Sequence, residues 1–181
     1  MSTKNEKIII LGGSGSGKDY LMRKLIQKGL RGCVKMTTRP ARKYEVQGVS
    51  YNFVNNQQFT QLIKEDKFLS YQSFNVTPDD RQPETWYYGL THEEFNQSQV
   101  FVMTPSEFTS LSPQNRKDCF VVYLDIDRNI RESRLIKRED QNDSVRRRLD
   151  ADEKDFLELK DYDLRIRDHD FTAEDIWDLM D

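Results

Sequence analysis

The run Gly12-Gly13-Ser14-Gly15-Ser16-Gly17-Lys18-Asp19 has the residue types and the spacing to hold a polyphosphate. It fits G-x-x-x-x-G-K, in which glycines let backbone N–H groups converge on phosphate oxygens while the lysine reaches the terminal phosphates as a point charge. Asp19 stands where a Ser or Thr usually ligates magnesium. A carboxylate is also a hard oxygen ligand, so Asp19 is expected to hold Mg2+. A second place for anion chemistry is the turn around Pro40. Arg39 and Arg42 flank that proline, whose fixed backbone can aim two guanidinium forks at one point, as a second, smaller phosphate requires. A solvated basic loop is the other reading of the same cations.

The elements needed to position these residues are legible around them. Ile8-Ile9-Ile10-Leu11 reads as a strand buried on both faces that empties into the glycine run. Apolar positions 21, 22, 25 and 26 then predict a helix from the loop to about Gly29, with its N-terminal N–H groups and dipole facing a bound anion. Further strands are expected at 33–36, 68–71 and 100–103, at 119–125 as a central strand, and at 162–167 as an edge. Short helices are expected at 57–64 and 92–95, the latter capped by Thr91, and a C-terminal helix should bury Phe171, Ile176, Leu179 and Met180. The stretch 75–86 reads as an irregular polar loop. Asp127 is expected to cap a helix over 128–138, and a second helix starts at Ser144.

At 181 residues, with a third of them charged and a net charge of -3, the chain suits one α/β domain and gives no reason to expect a nucleic-acid or membrane partner. Cys33 and Cys119 are the only cysteines, too few for a disulfide framework or a zinc site, and both read as buried free thiols. The polar first residues and the absence of a long apolar stretch lead us to expect a soluble, cytoplasmic protein.

The phosphate loop followed by Thr37-Thr38-Arg39-Pro40-Ala41-Arg42, then by Glu45, Gly48, Tyr51, Phe53 and Val54 in the pattern ExxGxxYxFV, resembles the guanylate kinase family. The resemblance extends over nearly the whole chain. It implies a P-loop NTPase fold, three-layer α/β/α with a parallel core sheet (1–36, 91–126 and 161–181), an acceptor-binding insertion (37–90) and a helical lid (127–150). It assigns Gly13, Ser14, Gly15, Ser16, Gly17, Lys18 and Asp19 to ATP and its Mg2+. Arg39, Arg42, Glu45, Tyr51 and Tyr88 fall to the acceptor nucleotide, and Lys18, Arg134, Arg138 and Arg148 to catalysis, the arginines closing over the transferring phosphoryl.

Four departures from the family pattern stand out. Ser70 occupies the place of a glutamate that reads the guanine edge, and a hydroxyl cannot accept two hydrogen bonds as a carboxylate does. Leu90 follows Tyr87-Tyr88-Gly89 where a small hydroxyl residue is usual. The strand at 100–103 ends in Thr104-Pro105 without an acidic group, and we expect this loss to be coupled to the gain of Asp19. Asp168 falls where the family has an asparagine close to the adenine.

The expected function is ATP-dependent phosphoryl transfer to GMP, dGMP or a related nucleoside monophosphate, by a monomer or homodimer. A ribose 1,5-bisphosphate phosphokinase, which shares the Gly-Lys-Asp loop and the non-acidic strand end, and a guanylate-kinase-like binding module without turnover stay open.

Overall fold

Ile9, Ile10 and Leu11 have no solvent exposure. Their strand, β1 (Lys7–Gly12), lies between two parallel neighbours and is buried on both faces. The computed structural model describes residues 7–76, 82–137 and 144–178, and the chain divides into two compact units, the described residues of Met1–Gly32 with Gln99–Asp181, and Cys33–Ser98.

In the first unit β1 runs into α1 (Lys18–Gln27). Gly29, at φ 102°, closes the end of that helix by donating its N–H to Ile26 O. The second unit holds β2 (Met36–Thr37), β3 (Asn52–Phe53), α2 (Asn56–Lys64), β4 (Phe68–Val76), β5 (Glu84–Thr91) and α3 (His92–Gln97). The chain then returns to the first unit with β6 (Val100–Val102), α4 (Pro105–Thr109), α5 (Pro113–Arg116), β7 (Cys119–Leu124), α6 (Arg128–Lys137), α7 (Val145–Phe156), β8 (Leu164–Ile166) and α8 (Ala173–Trp177).

The sheet of the first unit is parallel, in the order β6-β1-β7-β8, so β1 and β7 are central and β8 is an edge, as their hydropathy predicts. Ile8 and Ile10 pair with Phe120 and Val122. On one face Ile8, Ile10, Val122 and Leu124 pack with Leu21 and Leu25 of α1 and with Ala173 and Ile176 of α8. Ile9, Leu11, Phe101 and Val121 alternate to the other face and are buried too. Each such side chain contributes about 1.5–3 kcal/mol of burial, which ties the glycine loop to the most stable part of the unit. Cys119 and, in the other unit, Cys33 are buried free thiols, as expected.

The sheet of the second unit is mixed, in the order β3-β2-β5-β4. Phe59 of α2 stacks on Phe68 at 4.3 Å and on Tyr87 at 5.2 Å, forming the aromatic core of this unit. An Asn55–Gln58 capping box starts α2, and Thr91 caps α3 as expected. Both ends of the stretch expected to be an irregular loop are strand: β4 extends to Val76, β5 begins at Glu84, and Asn75 and Val76 pair with Thr85 and Glu84, while residues 77–81 lie outside the described residues. The reason lies in its position. β4 is an edge strand whose Tyr71 and Phe74 are about half exposed, so little of it is buried enough to leave an apolar pattern.

Candidate functional site

The glycine loop is built from the main chain of 12–17. Gly17 takes φ 104° as the N-cap of α1, a left-handed conformation in which any Cβ is strained, and Ser16 N closes a turn on Gly13 O at 3.2 Å. Lys18 folds back over this turn, its Nζ donating to Gly12 O at 2.7 Å and to Gly13 O at 2.9 Å. Burial lowers its pKa to about 8. The charges of Asp19 and Asp152 work against that shift, and those of Arg131 and Arg148 work with it.

The candidate residues of the first unit thus converge. Arg134 Nη1 donates to Gly15 O at 3.2 Å and Ser16 O at 3.4 Å, and its Nη2 donates to His169 O at 2.9 Å. Arg148, on α7, is half-buried and near enough for its charge to act on Lys18. Asp19 is exposed in the first turn of α1, where a carboxylate suits the helix dipole. Asp168 turns its carboxylate to the Asp170 amide at 2.9 Å, beside the segment that Arg134 holds. Arg138 lies outside the described residues.

Two functional candidates escape the sequence reading. Arg131 of α6 is 7% exposed and Asp152 of α7 pairs with it at 3.0 Å, while the Ser14 amide donates to Asp152 Oδ2 at 2.7 Å. The one available signal is that Arg131 shares a buried helix face with Leu135, four residues on, where an apolar residue is the ordinary choice.

The candidates of the second unit form their own cluster. Arg39 is 6% exposed, and its Nη2 meets Glu45 Oε1 at 2.7 Å. Glu45 Oε2 accepts the Arg42 amide at 2.7 Å, so one carboxylate ties together both ends of the Arg39–Arg42 turn. Burial opposes the charge on each partner. The hydrogen bond between them, together with the Arg42 amide on Glu45 and the surrounding charges, outweighs it, with Arg39 held above and Glu45 below their ordinary pKa values. The Arg39 guanidinium lies 5.6 Å from the Tyr51 ring centroid, and Tyr51 meets Tyr88 edge-on at 6.1 Å. Ser70 is on the same sheet, on β4 opposite Leu90, at a register shift between Phe68 and Ser70. The Arg42 side chain is exposed.

Asp125, which with Asp127 could be mistaken for a metal pair, instead accepts from Arg165 Nη2 at 2.7 Å and Arg167 Nε at 3.2 Å. Asp127 accepts the Asn129 amide at 2.8 Å, capping α6.

A parallel sheet whose first strand runs through a glycine turn into a helix, with a lysine folded onto that turn, defines a P-loop α/β protein. Known proteins narrow the class. The guanylate kinase family profile matches residues 4–78. A guanylate kinase of Nostoc sp. is 31% identical over 175 residues, covering 92% of this chain and 83% of that protein. One of Neisseria gonorrhoeae is 43% identical over 70 residues, 38% of this chain and 34% of that protein. The crystal structure of guanylate kinase from Anaplasma phagocytophilum superimposes with a TM-score of 0.65 at 19% identity, over 97% of this chain and 85% of that one, which shows the shared fold. The chain belongs to the guanylate kinase family.

Proposed function

We propose that this protein is a nucleoside monophosphate kinase of the guanylate kinase type, transferring the γ-phosphoryl of ATP to GMP, dGMP or a nucleotide with a related or modified base. The observation that carries the reading is the gathering of Lys18, Arg131, Arg134 and Arg148 around one glycine turn. There they outnumber the two carboxylates, Asp19 and Asp152, as a polyanionic ligand requires. The kinship with guanylate kinases supports the acceptor.

An acceptor phosphate is already a nucleophile, so no covalent intermediate or general base is needed, and catalysis is alignment with charge neutralisation. Lys18 swings from its carbonyl contacts to the terminal phosphates. Arg134 and Arg148, with Arg138, neutralise the transferring phosphoryl. Arg39, Arg42, Tyr51 and Tyr88 hold the acceptor phosphate, with Glu45 bracing Arg39. Ser70 faces the base, and as a neutral hydroxyl it leaves room for bases other than guanine. The donor set fits Mg2+, because Asp19 offers an exposed hard carboxylate close enough to act on Lys18. Asp19 would hold the ion, which supplies further neutralisation of the phosphates when bound.

ADP release measured over a panel of ribo- and deoxyribonucleoside monophosphates and ribose 1,5-bisphosphate, with Lys18→Ala as blank, tests the proposal. Turnover is expected with GMP, dGMP or a base analogue. Turnover with the sugar phosphate alone would make the chain a sugar-phosphate kinase, and binding without turnover would make it a module.

A further inference from the structure

Asp152 sits where donors for an anion converge. Its Oδ2 accepts the Ser14 amide at 2.7 Å and Arg131 Nη1 at 3.0 Å, and its Oδ1 lies 3.4 Å from the Ser14 hydroxyl. An amide, a hydroxyl and a guanidinium aimed at one carboxylate are the same donors that suit a phosphate oxygen. The contact is tertiary, since Ser14 and Asp152 are 138 residues apart and Asp152 belongs to α7.

Arg131 is held in place for this role. Its Nε donates to Ile126 O at 3.0 Å, which fixes the plane of the guanidinium, and its Nη1 also points to Ser14 O at 3.4 Å. Gly13 permits the approach: a Cβ there would overlap Arg131 Nη1 and come within 3.1 Å of Asp152 Oδ2. A cavity of about 490 Å3 borders Gly13, Arg131 and Asp152, so the carboxylate has open space beside it.

We propose that the Ser14 amide and the Arg131 guanidinium form a phosphate-oxygen subsite that Asp152 fills from within, and that an incoming polyphosphate displaces the carboxylate and takes over both donors. The inference rests on the phosphate-loop half of the proposed function and deepens it: it gives Arg131 a defined phosphate-oxygen contact and gives Asp152 the part of an internal anion. A polyphosphate wins the exchange because it also engages Lys18 and Arg134, which the single charge of Asp152 does not. Displacement has a cost, and that cost weakens the apparent affinity for nucleotide.

Calorimetric titration of the full chain with ADP, without magnesium, tests the exchange. Asp152→Asn is expected to bind ADP about tenfold more tightly than the natural chain, because a charged competitor is gone. The double variant Asp152→Asn with Arg131→Met, in which no buried charge is left without a partner, is expected to lose that gain. Should Asp152→Asn fail to fold with Arg131 unpaired, Asp152→Glu keeps the charge partner while its longer side chain no longer seats on the Ser14 amide, and the same tightening is expected. Unchanged or weaker binding by the single variants overturns the internal-anion role, and a double variant as tight as Asp152→Asn overturns the part given to Arg131. Binding by the natural chain without tightening in the variants sinks this inference alone. Absence of ADP binding in the natural chain and in every variant sinks the phosphate-loop reading with it.

Discussion

The loop of the first unit and the Arg39 cluster of the second both gather cations, but they hold them by different means. Around the loop the main chain does the holding: Lys18 rests on the carbonyls of Gly12 and Gly13, and Arg134 on those of Gly15 and Ser16. In the second unit a side chain does it, with Glu45 joining the buried Arg39 to the Arg42 amide beside the Tyr51 ring. A cation resting on carbonyls can exchange them for phosphate oxygens while the strand and helix around it stay folded. A buried guanidinium braced by one carboxylate is part of the structure itself, and its loss is felt in folding before it is felt in binding.

Deleting a cation of the first kind gives the largest effect on turnover. Lys18→Ala is expected to lower ADP release by about a thousandfold or more, while its denaturation midpoint stays close to that of the natural chain. A large drop in stability would erase the contrast. Next comes Glu45→Gln, which leaves Arg39 buried without its charge partner. We expect a loss of about 2–3 kcal/mol in urea unfolding, together with a raised KM for the acceptor. A raised KM with unchanged stability would place both clusters in the same class. Asp19→Asn is expected to raise the magnesium concentration for half-maximal activity by roughly tenfold, and an unchanged requirement removes Asp19 from metal binding.

The smallest effect is a proton. Because burial lowers the pKa of Lys18 to about 8, the lysine is charged below that pH and neutral above it. Bound phosphates restore the charge, so on binding ADP this lysine should take up on the order of one proton near pH 9 and almost none near pH 6, where the nucleotide's terminal phosphate instead gives one up in part. Calorimetry in buffers of different ionisation enthalpy reads that number directly, and equal uptake at both pH values would separate Lys18 from the phosphates.

Much of the first unit is legible in sequence because its signals are local. Four apolar residues in a row, a glycine run and a helical period are enough to place β1, the loop and α1, and Arg134 is picked out by the resemblance to guanylate kinases. Arg131 and Asp152 do not follow. Asp152 lies in the charged run 146–155, which reads as a solvated face, and only the packing of α7 brings it to Ser14. The hairpin of β4 and β5 is obscured for a related reason. Pairing satisfies its backbone, while the side that carries Ser73 and Asn75 remains exposed, with polar residues that resemble a loop. Arg39 and Glu45 are legible singly through the family motif, yet their pairing and burial are not, because both depend on how the turn folds against the rings of Tyr51 and Phe53.

The two thiols give each unit its own stopwatch. Cys119 donates its S–H to Asn115 O at 3.0 Å, and burial pushes its pKa up to about 11, so almost none of it is thiolate at neutral pH. Cys33, 9% exposed, sits in the other unit. An alkylating reagent should reach either sulfur only during transient opening of the surrounding structure. The two labelling rates, followed by mass spectrometry, would time the breathing of each unit separately, and the slowing of one rate by a nucleotide would tell which unit that nucleotide clamps.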